Sequence, residues 1–393
     1  MNIEILKKAQ KKRLVFIATI PRFFVHIINN IKELEKNGFD IQLVSSFESY
    51  GDYLKHDHGF KIDYIEIPRE ISPLKDVKAL FLLYLYLRKN KFDIVHSLTP
   101  KAGIVVALAS FAARVPIRIH TFTGQRWATL SGAFRSILKT LDKIVIKLNT
   151  RCYADSKSQI DYLISENVAK PSEVFCIHEG ALGGVDIEKF HLNKNSLRTR
   201  ISQELNIPME SPWILFLGRV TRDKGINELV KAFEQSQDST KAYLIIVGPY
   251  EQDLDPVDPS TVNSIKNNPF IKHMGFQNHP EQIIAACDFL CLPSYREGFG
   301  TVIIEAAAAG VCTIGSNIPG IQDAIIDEKT GVLVPVKDIH ALKEQIIRLS
   351  NKKQFREELS HNAFLRAQKD FNYQIISQFQ VNEYRQLLAN RNT

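Results

Sequence analysis

The chain has 393 residues, of which 45% are hydrophobic, 24% charged and 9% aromatic, a make-up that supplies large apolar cores and excludes a disordered chain or a collagen-like fibre. Its five cysteines are odd in number and scattered through apolar runs, which excludes a zinc-ligand cluster or a disulfide framework and points to a reducing compartment. The formal charge of +7 is uneven: residues 1–190 hold 28 Lys or Arg against 20 Asp or Glu, and 101–150 hold eight cations and one acid, Asp142, a field that suits nucleic acid, anionic lipid or a phosphorylated substrate.

In chain order, a basic run from Lys7 leads into an apolar run at 14–20. This has the outline of a secretory leader, but Pro21 and Arg22 follow without a small-residue cleavage site, and seven apolar residues suit a buried strand. Strand-like runs at 41–45, 62–67, 94–97 and 117–121 alternate with helix-length segments such as 24–37 and 77–90, a βα series that predicts a parallel sheet. Residues 79–88 are apolar on every side and are read as a core helix. The longest uncharged apolar run, 102–113, falls short of the ~20 residues of a membrane span, so no segment is expected to cross a bilayer.

A second series follows, with strands at 213–217, 243–247, 271–274, 289–292 and 311–314 and helices at 223–235, 280–286 and 301–309. Between the two series, 190–212 is polar and holds no strand-like run, although 197–205 has the pattern of a linking helix. The prediction is an α/β protein of two doubly wound Rossmann-like domains facing across a cleft, residues 1–195 and 196–370, with 371–393 a C-terminal helix packing back toward the first domain. Open parallel sheets bind ligands beyond the carboxyl ends of their strands, so the chemistry is sought in the loops there.

Two such loops stand out. Gly218 and Arg219 open the turn after the strand at 213–217, and Lys224 and Gly225 close it; two cations beside a helix start suit a diphosphate. Ser294, Glu297, Gly298, Phe299, Gly300, Thr301 and Glu305 form a strand end, a glycine-rich bend and a helix start. Main-chain N–H groups near Thr301 can meet a phosphate, and Glu305, one turn inside the helix, can accept hydrogen bonds from vicinal hydroxyls such as those of a ribose. An acid embedded among Ile304 and alanines is costly to bury unless it is bonded. Asp253 and Asp255 resemble a metal-binding acid pair, but flanking Pro256 and Pro259 read as a loop and the pair as incidental. The chain has no Gly-x-Gly-x-x-Gly after a strand, no Walker phosphate loop, no His-Glu-x-x-His and no nucleophile elbow.

These residues carry a resemblance. The Glu, seven residues, Glu spacing from Glu297 to Glu305, inside Ser-x-x-Glu-Gly-Phe-Gly, resembles the donor site of the family 4 retaining glycosyltransferases, two-domain enzymes of GT-B fold, and the likeness covers nearly the whole chain. It implies that Glu305 binds the ribose, that Glu297 contacts the donor sugar, and that Arg219 and Lys224 neutralise the leaving diphosphate; the co-substrate expected is a UDP-linked nucleotide sugar, with no metal and no other cofactor. Further segments, His96 to Gly103, Thr121 to Ala128, and Gly183 to Asp186, resemble the members that build bacterial surface polysaccharide, O-antigen or capsule, on a lipid carrier. They imply a polyprenyl diphosphate-linked glycan acceptor at the inner face of the cytoplasmic membrane, and the excess of cations in 101–150 adds the expectation of a cytoplasmic enzyme held peripherally on an anionic membrane surface, with no nucleic acid as partner.

The chain departs from the family at Thr123, where many members carry a histidine; His120 is expected to face the other way. Thr123, Gly124, Arg126 and Lys101 are the acceptor-side candidates, with Arg22 and Arg118 as further cations for phosphate or lipid headgroups. Two other readings share the architecture: a UDP-sugar 2-epimerase, which needs no acceptor, and a non-catalytic polysaccharide-assembly subunit.

Overall fold

The structure is a computed structural model that describes residues 11–70, 72–251 and 255–391. It contains two wholly parallel sheets. The first joins β1 (Lys12–Ile17), β2 (Phe39–Ser45), β3 (Ile62–Tyr64), β4 (Ile94–Ser97), β5 (Ile117–Phe122), β6 (Arg151–Ala154) and β7 (Val174–Phe175) in the order β3-β2-β1-β4-β5-β6-β7. The second joins β8 (Trp213–Leu217), β9 (Tyr243–Val247), β10 (Ile271–Gly275), β11 (Phe289–Leu292), β12 (Cys312–Ser316) and β13 (Gly331–Val334) in the order β10-β9-β8-β11-β12-β13. In each sheet the order reverses beside the strand that opens the domain, between β1 and β4 and between β8 and β11. Such a switch point leaves a crevice at the carboxyl ends of the strands.

The central strands are continuous apolar runs because helices cover both of their faces. Leu14 and Phe16 pack on one side of the first sheet with Ile31, Leu34 and Tyr384, whereas Val15 and Ile17 pack on the other with Leu83, Leu87 and Val106. Three strands escape the sequence pattern. Arg151–Ala154 is a four-residue run headed by a cation, Val174–Phe175 has two residues, and Gly331–Val334 is an edge strand of four.

The core reading of 79–88 is corrected. In the helix Pro73–Asn90, Ala79, Leu83 and Leu87 are buried, whereas Leu74, Val77, Phe81 and Leu85 are exposed. Only one stripe of that helix meets the sheet, and no described element covers its outer face.

The end of the chain returns to the first sheet. The N–H of Val185 donates to the carbonyl of Phe371 (2.7 Å) and that of Tyr373 to the carbonyl of Val185 (3.0 Å), after which the helix Tyr373–Ala389 packs on the helix Ile28–Lys36. A buried polar chain fastens it: Asn30 Nδ2 donates to Gln380 Oε1 (3.0 Å), Gln380 Nε2 donates to the Tyr384 hydroxyl (2.9 Å), and that hydroxyl meets His96 Nδ1 at 2.5 Å. The other ring nitrogen of His96 meets Thr121 Oγ1 at 2.7 Å.

Candidate active site

The loops that follow β8, β9 and β11 converge. Gly218 and Gly248 lie so close that a Cβ on Gly248 would stand 1.8 Å from the Gly218 carbonyl oxygen, so the turn after β8 can only be built against a glycine. Beyond it, Arg219 Nη1 contacts Glu251 Oε2 at 2.7 Å and Arg296 Nη2 contacts Asp223 Oδ2 at 3.1 Å. Lys224 Nζ is hydrogen-bonded to Glu297 Oε1, which also accepts from Ser294 Oγ at 2.8 Å. Burial opposes charge on both Arg219 and Asp223. The Glu251 carboxylate outweighs it at Arg219 and raises its pKa; the Thr221 hydroxyl and the cations Arg296, Lys224 and Arg219 outweigh it at Asp223 and lower its pKa. A partly buried group of this kind holds its charges only because each has a partner.

The helix Thr301–Ala308 starts from Gly300, which has φ +81° and supplies no side chain to cap the first N–H groups. Those groups, at the positive end of the helix dipole and directly after β11, are a ready anion site. Phe299 is buried in the core against Phe371, with ring centroids 5.2 Å apart, so it supports the bend through packing and only its backbone is available to a ligand. Glu305 stands apart from the Lys224 and Glu297 group. Its carboxylate has no hydrogen bond or ion pair among the described residues, and burial pushes its pKa up to about 7, with Lys189 pulling it down and Glu281 pushing it further up.

Of the acceptor-side candidates, Lys101 is tied to Asp76 (2.6 Å), Thr123 Oγ1 donates to the Leu98 carbonyl (3.3 Å), and Arg126 is exposed at the start of the turn Arg126–Thr129. His120 is buried between Ser97, whose Oγ lies 2.9 Å from its Nδ1, and Gly103, and burial holds its pKa down at about 3. It is a neutral packing residue.

The two domains touch at this rim. A Cβ on Gly298 would lie 2.7 Å from the Thr123 carbonyl, and one on Gly124 3.1 Å from the Gly298 nitrogen. Gln159 Nε2 donates to the Glu297 carbonyl, Ser158 Oγ contacts Asp323 Oδ2, and the N–H of Gly320 donates to Ser158 Oγ (2.7 Å). Asp155, at the end of β6, accepts from the N–H of Leu182 (2.7 Å), and burial raises its pKa to about 6 despite that bond. Glu251, Gly248, Ser158, Gln159 and Asp155 were not legible as site residues. A glycine directly after β9 was the one available signal; the others are set by long-range approach.

Asp253 lies outside the described residues, and Asp255 caps the loop by accepting from the N–H of Asp223 at 2.6 Å. Among the described residues no group of three or more His, Cys, Asp or Glu side chains is arranged to hold a metal ion. None of the described helices is long and apolar enough to cross a membrane.

Residues 24–181 match the model of Glycosyltransferase Family 4, and residues 198–366 that of Glycosyl transferases group 1. The chain is 31% identical over 370 residues to the capsular polysaccharide biosynthesis glycosyltransferase CapM of Staphylococcus aureus, covering 93% of this chain and 95% of the relative. It is 29% identical over 330 residues to the UDP-Gal:alpha-D-GlcNAc-diphosphoundecaprenol alpha-1,3-galactosyltransferase of Escherichia coli, covering 81% and 82%. Among solved structures, Anabaena HepE in complex with UDP-glucose superposes with a TM-score of 0.78 at 19% identity, covering 95% of this chain and 98% of that one. The chain belongs to the family 4 glycosyltransferases, and its two facing parallel-sheet domains are the GT-B fold.

Proposed function

We propose that the protein transfers a sugar from a UDP-linked donor to a polyprenyl diphosphate-linked glycan, with retention of configuration, during assembly of a bacterial surface polysaccharide, working from the inner face of the cytoplasmic membrane. The observation that carries the donor half is the meeting of Arg219, Lys224, Glu297 and the uncapped start of the helix Thr301–Ala308 at the carboxyl ends of β8 and β11. As the bond from sugar to diphosphate breaks, negative charge grows on the leaving oxygen. Two cations and main-chain N–H groups aimed at that charge stabilise the transition state more than the ground state. Lys224 then exchanges its contact with Glu297 for the diphosphate, which frees the carboxylate for the sugar hydroxyls. Glu305, without a partner among the described residues, accepts from the ribose.

The acceptor half rests on the relatives, one of which is named for a diphosphoundecaprenol substrate and another for capsule synthesis. The test is to measure UDP release from a panel of UDP-sugars with and without undecaprenyl diphosphate-linked saccharides. Acceptor-dependent release with a lengthened lipid-linked glycan is the expected result. Isomerised sugar in the absence of acceptor would establish an epimerase instead, and binding of the lipid without release from any donor would establish an assembly subunit.

A further inference from the structure

Where the first domain meets the bend that carries Glu297, three of its side chains hold polar atoms without a partner among the described residues. Asp155 directly follows β6, at the carboxyl edge of the first sheet. Its backbone is fixed on both sides: its N–H donates to the Phe122 carbonyl (3.0 Å), and its carbonyl accepts from the N–H of Ala181 (2.8 Å). Oδ1 is taken by the N–H of Leu182, whereas Oδ2 has no hydrogen bond among the described residues, and no cation offsets the burial of the group. A Cβ on Gly298 would lie 3.1 Å from that Oδ2, so the free oxygen borders the bend one residue beyond Glu297.

Two glutamines accompany it. Gln159 is 2% exposed; its Nε2 donates to the Glu297 carbonyl, and its Oε1 is buried without a partner. Gln125 is 3% exposed, and its Nε2 is buried without a partner. It follows Gly124, where a Cβ would stand 3.1 Å from the Gly298 nitrogen. Buried polar groups in folded proteins are almost always bonded, because an unmatched one is costly. Three of them in the loops that meet one bend mark a place where a ligand completes the bonding. Asp155 Oδ2 and Gln159 Oε1 call for donors and Gln125 Nε2 for an acceptor, and hydroxyl groups supply both. The groups proposed for the diphosphate and the ribose, Arg219, Lys224 and Glu305, all belong to the second domain, whereas Glu297, in this same bend, is the group proposed for the monosaccharide.

We infer that Asp155 is a specificity-determining residue for the donor: its Oδ2 accepts a hydrogen bond from a ring hydroxyl of the activated monosaccharide while Glu297 holds the same sugar from the second domain, and Gln125 and Gln159 add contacts from the side of Asp155. The inference rests on the proposed sugar transfer and adds which residue reads the sugar. A sugar without the right hydroxyl leaves the Asp155 carboxylate buried and unmatched, and a site built to bond a hydroxyl rejects the analogue lacking it strongly.

Calorimetry measures binding of UDP, a panel of UDP-hexoses, and the monodeoxy analogues of whichever UDP-hexose binds best; kcat/KM is measured for the same sugars. Asp155→Asn keeps an oxygen for the Leu182 N–H and turns the free oxygen into a donor, whereas Asp155→Ala removes both acceptors. The expected result for Asp155→Asn is parental UDP affinity and parental melting, with a loss of about tenfold or more in affinity and kcat/KM for the best UDP-hexose. One monodeoxy analogue is expected to show the same loss with the parent and no further loss with the variant, so that residue and hydroxyl are coupled. Asp155→Ala is expected to show the same sugar effect and to melt lower.

The inference is overturned if Asp155→Asn matches the parent with every UDP-hexose, which would leave Asp155 only the task of holding Leu182. It is also overturned if UDP affinity falls by the same factor as UDP-hexose affinity, or if no monodeoxy analogue shows the coupling. A parent chain whose UDP-hexose binding depends on Asp155 but which lengthens no lipid-linked glycan keeps this inference and sinks the proposed transfer; transfer at parental kcat/KM by Asp155→Asn does the reverse.

Discussion

Lys224 and Arg219 are each matched to a carboxylate, Lys224 to Glu297 and Arg219 to Glu251. If these cations meet charge that develops on the leaving diphosphate, Lys224→Ala or Arg219→Ala lowers turnover by ~100-fold or more while the fold is kept. Unchanged turnover in purified Lys224→Ala would remove that residue from the chemistry. Glu305 makes a separate prediction. Its pKa in the fold, about 7, lies above the ordinary 4.5, so between those values the folded chain holds a proton that the unfolded chain has lost. Its contribution to stability therefore falls as pH rises through that window and is at its most unfavourable above pH ~7. Glu305→Gln is expected to melt higher than the parent at pH ~8, with the difference shrinking as pH falls toward ~4.5. The same variant is expected to bind UDP about tenfold or more weakly, since a hydrogen bond to a charged acceptor contributes about 1.5–3 kcal/mol. Equal affinity, measured by calorimetry, would exclude a ribose contact.

Among the elements, the helix Tyr373–Ala389 matters most for its buried polar contacts. The Tyr384 hydroxyl serves both Gln380 and His96, and all three side chains are buried. Tyr384→Phe keeps the ring and strands those two partners, which is expected to cost about 1–3 kcal/mol, seen as a fall of a few degrees in melting temperature. A variant that melts with the parent would show that the partners find replacements. None of this could be read from residues 373–389, because Tyr384 meets a histidine 288 positions earlier. Elements with strong internal signals were legible. Phe289–Leu292 and Pro280–Ala286 lie where the apolar run and the proline at a helix start put them. The helix Pro73–Asn90 misled the sequence reading, since an apolar composition says how much of a helix dislikes water but not whether a neighbour covers it.

At the scale of the whole molecule, the rim where the domains meet is built of close backbone approach. A methyl group at Gly298 would collide with the Thr123 carbonyl at 2.7 Å. Because the obstacle belongs to the other domain, the clash is relieved by moving the domains apart without unfolding either one. Gly298→Ala is therefore expected to lower kcat/KM by about tenfold to a hundredfold through misplacement of Glu297, with melting nearly unchanged and a larger radius of gyration in solution scattering. Full activity with an unaltered radius would mean that the two loops do not approach during turnover.

The residues by themselves determined the two βα series, the polar break between them, and the constellation from Gly218 to Glu305 that is proposed to hold the donor. These follow from apolar period, turn chemistry and spacing within a few residues of one another, all local properties. Only the tertiary structure decided that Arg219 meets Glu251, that Gln159 holds the loop carrying Glu297, that half of the cations in 101–150 are already engaged, and that Phe81 faces outward. Each of these depends on which distant segment arrives beside a side chain, and one chain read alone carries no record of that approach.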